Sequence, residues 1–391
     1  MATAPLIQTD QALRELCQRL EGAERIGFDT EFVPEYNYAP KLCLIQLVTD
    51  DELAIVDPLA VSDLSRFWQI LLDPQRELVA HAAGAELAFC MRLGGALPER
   101  LFDVQLAAGL TGLGYPLSYA KLVHKMLDVT LQKGAARTDW RKRPLSNEQL
   151  RYALDDVLYL FPVRDKLGER CHRLNRGQWV QEENGRIQRI LWKRAQEPLW
   201  TRVSGARSLN RRELAVLQEL ARWRDLRARM ADRPTKWVLR DDLLVELARR
   251  QPRSAEALRR TRGLGGFKEG AQTRAVLEAI QVGQRLPESQ CPDVKRHRRK
   301  EHPNEKMIVK LLGAVMIHLA ELHQCAPSLL GNTADLEALV AWYFDGRKGA
   351  LPNILTGWRG VICGRPLLDF LAGRTSLSLG QQTDVPELRF W

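Results

Sequence analysis

The chain has no C-x-x-C pair, and its seven cysteines, Cys17, Cys43, Cys90, Cys171, Cys291, Cys325 and Cys363, are odd in number and scattered. Neither a disulfide framework nor a cysteine zinc site is therefore indicated. No apolar run approaches the eighteen or more residues of a membrane span, and the opening MATAPLIQTDQALREL lacks the basic-then-apolar order of a signal peptide. A soluble, cytoplasmic protein without a membrane partner is the expectation. Strand-like alternation is absent after Ser208, which confines any sheet to the first half of the chain.

An excess of one charge is also missing from most of the chain. Residues 1–200 hold 25 Lys+Arg against 27 Asp+Glu, and residues 301–391 hold 8 against 9. The overall net charge of +10 therefore comes from residues 201–300, with 25 against 12. A positive field confined to one segment points to a polyanion partner there. At 391 residues the chain is too long for one ordinary core.

RIGFDTEF, KLCLIQLVT, ELAIVD and ELVAH read as strands, whereas FDVQLAAGL, SYAKLVHKML and a long stretch from Ser146 to about Leu174 read as helices. This pattern predicts an α/β N-terminal domain over 1–198, a mixed sheet flanked by helices. A basic all-α domain is expected over 208–286, with Asp241 as a helix N-cap. The polar, proline-containing 287–304 reads as a linker, 305–375 as a second small helical domain, and 376–391 as a loosely ordered tail.

The chemistry begins at I-G-F-D-T-E-F, residues 26–32. Residues two apart on a strand share a face, so Asp29 and Glu31 stand side by side with like charge. Tyr152 and Asp156 are spaced i to i+4 on one side of a helix, and Glu86 opens another helix after a short strand. Four carboxylates and a phenol in one cleft would repel strongly without cations, but would suit two hard divalent ions, which take oxygen ligands. Asp103 reads as a helix N-cap rather than a ligand. His81 reads as a packed or hydrogen-bonded residue.

GFDTEF, HAAGAEL and the Y-x-x-x-D of Tyr152 to Asp156 resemble the three motifs of the DEDD exonucleases, in the subclass whose last motif carries tyrosine. The closer resemblance is to the ribonuclease D family. It runs through Asp29–Leu47, through R-T-D-W-x-x-R-P-L (Arg137–Leu145) and through Y-A-x-x-D-V-x-Y-L (Tyr152–Leu160). Residues 233–252 resemble the helical HRDC domain that this family shares with RecQ-type helicases, and LTGWRGVICGRPLLDFLAG resembles a second such domain. One position departs from the pattern: Glu86 stands where the family has aspartate, with its oxygens one methylene further out.

The resemblance implies a ribonuclease H-like fold and phosphodiester hydrolysis with two divalent cations, Mg2+ or Mn2+. It implies that Asp29 bridges both ions, that Glu31 and Asp156 hold the water-activating ion, that Glu86 helps to hold the second, and that Tyr152 orients the attacking water. Phe32 is expected to stack on a terminal base, with core packing as the equal alternative, and Tyr38 more readily packs. Of Lys133, Arg137, Arg141 and Arg143, the first two are the expected phosphate contacts. The implied activity is 3′-to-5′ exoribonuclease trimming of small structured RNAs with a free 3′ end, such as transfer RNA precursors. The alternatives are a 3′-to-5′ exonuclease acting on single-stranded DNA, or a nucleic-acid-binding protein whose nuclease site is weakened by Glu86.

Overall fold

The computed structural model describes residues 4–132, 134, 138–265, 270–293, 302–380 and 387–390. Lys133 and Arg137 fall outside the described residues. The described part divides into two compact units. One comprises residues up to Glu31, Cys43–Ile190 and the chain from Arg299 onward; the other comprises Phe32–Leu42 and Leu191–Arg298.

The first unit is built on a six-stranded sheet of order β1-β4-β3-β2-β5-β6. The strands are β1 (Leu6–Ile7), β2 (Arg25–Val33), β3 (Lys41–Val48), β4 (Leu53–Val56), β5 (Glu77–Ala80) and β6 (Arg100–Asp103). β3 and β4 are antiparallel, with Ile45 opposite Val56, whereas β2, β5 and β6 run parallel, with Ile26 opposite Leu78 and Ala80 opposite Asp103. The sheet is thus mixed and flanked by helices, the class that the alternating elements predict. The motif strand β2 lies inside it, and a buried strand with neighbours on both edges is a rigid place to mount side chains.

The helices of this unit are α1 (Asp10–Leu20), α2 (Ser65–Leu71), α3 (Gly84–Phe89), α4 (Val104–Leu110), α5 (Tyr119–Leu127), α6 (Asn147–Leu158) and α7 (Leu160–Arg173), with α8 (Gly177–Gln196) following. Two differences from the sequence reading concern boundaries. FDVQLAAGL is not helical throughout, because Arg100–Asp103 pairs with β5 and the helix starts only after Asp103. The stretch from Ser146 is two helices, broken at Tyr159 (φ −103°, ψ 7°). Ser146 starts α6 with a capping box: its hydroxyl accepts from the Gln149 amide, and the Gln149 side chain accepts from the Ser146 amide.

Residues 305–375 are helical, but their core is continuous with that of the sheet. Val309, Leu312, Leu319, Leu330 and Trp358 are buried in one cluster with Val79, Leu106, Leu122, Leu160 and Val163. Burial of each leucine there contributes roughly 1.5–3 kcal/mol. The helices Glu305–Leu322 and Thr333–Phe344 dominate this segment. Trp179 of α8 stacks on Trp358 at 4.8 Å, and Arg176 donates to the carbonyls of Leu110 and Gln324. The tail also differs from expectation: Leu377–Gly380 and Glu387–Phe390 pair as antiparallel strands.

The second unit is helical: α9 (Arg211–Met230), α10 (Thr235–Val238), α11 (Asp241–Arg250), α12 (Ala255–Arg259) and α13 (Ala271–Arg285). α9 and α13 approach closely because Gly283 has no side chain; a Cβ there would come within 2.5 Å of the Val216 Cα. Arg240, not Asp241, occupies the N-cap of α11. Asp241 sits in the first helical turn, where its carboxylate accepts from the Ser204 amide and from Arg224. Leu214, Leu217, Leu244, Leu247, Val276 and Ile280 form the core of this unit.

Segment 32–42 joins it through hydrogen bonds. The Asn37 side chain and the Tyr38 amide donate to Asp232, and the Tyr38 hydroxyl donates to Asp225 at 2.6 Å while accepting from Arg229. Tyr38 is therefore held as a packed, hydrogen-bonded residue. Among the described residues no helix is long and apolar enough to cross a membrane.

Candidate active site

Along β2 the side chains alternate, so Ile26, Phe28 and Thr30 are buried on one face while Asp29 and Glu31 share the other. Gly27 lies on the face of the two acids. A Cβ at that point would meet Val48 at 2.7 Å and Leu160 at 3.1 Å, so the bare backbone lets the start of α7 sit directly against β2. The preceding helix α6 carries Tyr152 and Asp156 one turn apart.

The result is a cluster. One carboxylate oxygen each from Asp29, Glu31 and Asp156 lie within 4.8 Å of one another. Tyr152 lies close enough to Asp156 for each to influence the other's titration, and its ring lies 6.1 Å from that of the buried Trp140.

Glu86 reaches the neighbourhood by a different device. After β5 the chain turns through Ala82, which has a left-handed φ of 58°, into α3. The amides of Ala82 and Ala83 donate to the two carboxylate oxygens of Asp103, at 3.1 and 2.9 Å. The same carboxylate accepts from the Gln105 and Leu106 amides and so caps α4. Asp103 is a cap, as its place before a helix suggests, and it also fixes the turn that carries Glu86. Glu86 is 4% exposed, and its Oε1 accepts from the Thr30 hydroxyl at 2.7 Å. It stands apart from the set formed by Asp29, Glu31 and Asp156.

Electrostatics show how poorly the cluster tolerates its own charge. Burial, reinforced by Glu86, Asp156 and Glu31, holds Asp29 well above the usual carboxylate range. Burial and the neighbouring acids push Glu31 up to about 8, and burial takes Asp156 and Glu86 to about 7. Among the described residues, no arginine, lysine or histidine forms an ion pair with any of the four. Buried acids without a base are costly as anions. An oxygen-only donor set of this kind fits hard divalent cations.

Other residues are occupied elsewhere. His81 is within hydrogen-bonding distance of the Leu117 carbonyl at 2.8 Å and lies against Tyr119, a packed position. Arg143 is taken by Asp57, which it contacts with two nitrogens at 2.6 Å, and by the Cys43 carbonyl. Arg141 pairs with Asp139. Phe32 is half-buried and, by the alternation of β2, stands on the face of Thr30. A cavity of about 920 Å³ contains none of the four acids; Arg25, Glu77 and Arg100 line it at the starting ends of β2, β5 and β6. Two of its arginines are already paired, Arg164 with Glu77 and Arg25 with Asp50, so the acid cluster is the better candidate site.

Sequence reasoning missed Thr30 and the second task of Asp103. The signal for Thr30 was its place between two acids, pointing to the opposite face. The local pattern marks Asp103 as a cap only, and its bonds to amides 21 and 20 residues earlier leave no trace in that pattern.

Residues 5–172 match the family model of the 3′-5′ exonuclease, and residues 213–280 match that of the HRDC domain. Ribonuclease D of Gluconacetobacter diazotrophicus is 35% identical over 378 residues, covering 96% of this chain and 94% of the relative. Ribonuclease D of Escherichia coli K12 is 32% identical over 371 residues, covering 94% and 98%. The crystal structure of Escherichia coli RNase D, described as an exoribonuclease involved in structured RNA processing, superimposes with a TM-score of 0.80 at 31% identity, covering 95% of this chain and 99% of that one. The 3′-5′ exonuclease model accounts for the uncompensated acids on β2, and the helical unit accounts for the HRDC match. Sheet order, acid cluster and near full-length identity agree: the chain belongs to the ribonuclease D family of divalent-metal-dependent 3′-to-5′ exoribonucleases.

Proposed function

We propose that the protein removes nucleotides one at a time from the free 3′ end of small structured RNAs, transfer RNA precursors being the model substrate, with two divalent cations, Mg2+ or Mn2+. The observation that carries this reading is the convergence of Asp29, Glu31 and Asp156 within 4.8 Å with no basic partner among the described residues. Asp29 would contact both ions, Glu31 and Asp156 would hold one, and Glu86 would hold the other. When bound, the ions lower the pKa of an attacking water and stabilise the departing 3′ oxygen.

The chain's own groups do the rest. Tyr152 stays protonated, because burial and the acids around it raise its phenol above the ordinary value. It therefore serves as a donor that orients a water, not as a base. Thr30 donates to one oxygen of Glu86, which leaves the other oxygen for an ion. Phe32 would contact the terminal nucleotide, and Lys133 and Arg137 would contact backbone phosphates.

The test uses 3′-hydroxyl RNA, the same RNA with a blocked 3′ end, and single-stranded DNA of the same sequence, each with Mg2+, with Mn2+ and with chelator. Mononucleotide release from open-ended RNA, abolished by blocking or chelation, is the expected result. Equal or faster release from DNA would replace RNA as the substrate. Binding without release would reduce the acid cluster to a vestige.

A further inference from the structure

On β3, Gln46 is fully buried, and among the described residues neither its Nε2 nor its Oε1 has a hydrogen-bond partner. A side-chain amide can donate two hydrogen bonds and accept two, and leaving all of them unmade away from water is costly. Buried polar groups without partners are few in folded proteins, and each calls for an explanation.

The strands around Gln46 supply one. Val48 lies on the acid face of the sheet, since a Cβ at Gly27 would meet its Cγ1 at 2.7 Å. Gln46 shares that face, because β3 pairs with β4 without a bulge, Gln46 opposite Ile55 and Val48 opposite Leu53. β2 and β3 are neighbours in the sheet and are joined by residues 34–40 alone. A parallel crossover takes about a dozen residues or more, so the two strands run antiparallel. Two steps back from Val48 therefore correspond to two steps forward from Gly27, which brings Gln46 beside Asp29. Of the four strand residues around Gln46 on this face, Leu44, Val48 and Ile55 are apolar; Asp29 alone is polar.

Asp29 is the natural complement to this amide. As the ligand common to both ions, its carboxylate must keep one fixed orientation, and ligating carboxylates are held by hydrogen bonds from an outer layer of residues. Glu86 has such a donor in the Thr30 hydroxyl, at 2.7 Å, whereas among the described residues no side chain donates to Asp29. A neutral donor suits the place: lysine or arginine would cancel the charge that attracts cations, while an amide adds a donor and no charge.

We infer that Gln46 is the positioning residue of Asp29, its Nε2 donating to a carboxylate oxygen and holding that carboxylate in the orientation the two ions share. This rests on the two-metal exoribonuclease reading above. Gln46 touches neither RNA nor ion; it acts through Asp29.

Gln46→Met tests the assignment, because methionine is unbranched and of similar length but lacks the amide. Gln46→Leu is the second variant, in case methionine packs poorly. In chelator both should melt at the temperature of the unmodified protein or above it, since an unpaired amide leaves the core. Calorimetric titration should show Mn2+ affinity about 10–100-fold weaker. The kcat on 3′-hydroxyl RNA should fall by a similar factor while KM stays within about twofold. Added to Asp29→Asn, Gln46→Met should weaken Mn2+ binding no further, because residues that act as a unit are not additive.

Unchanged Mn2+ affinity and kcat in both variants would overturn the assignment. So would a lower melting temperature in chelator with Mn2+ affinity intact, the mark of an amide satisfied by a buried water, and so would a full additional loss in the double variant. The unmodified protein is measured alongside. If it binds Mn2+ and releases nucleotides while the variants match it, only the role of Gln46 fails; if it does neither, the two-metal reading fails with it.

Discussion

Thr30→Val separates the shape of the site from its hydrogen bonding. Valine matches threonine in volume and β-branching, and Thr30 is 6% exposed, so the strand should accept it with little repacking. The hydroxyl it removes donates to Glu86 Oε1 at 2.7 Å in a buried setting. A hydrogen bond to a charged acceptor is worth about 1.5–3 kcal/mol, against roughly 0.5–1.5 kcal/mol for a neutral pair. Glu86 titrates at about 7, and the Thr30 bond opposes the rise that burial causes. The penalty should therefore be larger at pH 8, where Glu86 is an anion, than at pH 6, where it holds a proton. By the usual scaling with chain length, the pH 8 loss corresponds to roughly 2–5 °C in melting temperature.

With metal present, a freed Glu86 carboxylate should weaken Mn2+ binding or turnover by about 10–100-fold, as loss of an outer hydrogen-bond partner does elsewhere. The assays are thermal melts in chelator at both pH values, calorimetric Mn2+ titration, and kcat on RNA. A variant that melts within 1 °C of the original at pH 8, with unchanged Mn2+ affinity and kcat, would refute the assignment of Thr30 as the residue that orients Glu86.

Asp29→Asn and Asp156→Asn should each lower kcat by several orders of magnitude while leaving RNA affinity in chelator nearly intact; substantial turnover by either, with contaminating nuclease excluded, would remove the two-metal reading. Glu86→Ala should lower kcat by roughly 10² or more, whereas Glu86→Asp should preserve or raise it, measured in both Mg2+ and Mn2+. If Glu86→Ala matches the original in both metals, Glu86 holds no ion. The pH dependence of stability follows from the raised carboxyls. Without metal the folded protein holds protons on Glu31, Asp156 and Glu86 that the unfolded chain releases near pH 4, so their stabilising effect is complete below that pH and is lost as pH rises through about 7 to 8. Melts from pH 4 to 8.5 should show that decline in chelator and a shallower one with Mg2+; parallel curves would contradict it.

The acids of the site were legible because each sits on an element with a clear period: Asp29 and Glu31 on a strand of period two, Tyr152 and Asp156 one turn apart on a helix. Four of the six strands of the main sheet were visible for the same reason. β1 has two residues, too short for alternation to register, and at β6 the apolar run after Asp103 disguised the switch from strand to helix. Glu86 was found by motif order, but its tie to Thr30 was not, since a bond across 56 residues leaves no local pattern. The shared core of residues 305–375 was equally hidden. Leu312, Leu319 and Leu330 have the spacing of any amphipathic segment, and nothing in that spacing says which surface they cover. Arg143 illustrates the converse: its composition suggested phosphate, whereas Asp57, buried and negative, claims it.

The shared core has a consequence for how the protein is made. Arg176 donates to the Gln324 carbonyl across 148 residues, and the basic helical unit is threaded between them in sequence. At about 5–20 residues per second a ribosome needs roughly 7–30 s to deliver the missing partner. During that interval the apolar sides of α4 and α7 have emerged without their cover, while the intervening helices, whose contacts are mostly their own, are free to close first. The order of synthesis and the order of folding therefore differ. The unit bearing the acid cluster, begun first, is completed last, and for those seconds the nascent chain presents the surface that chaperones bind.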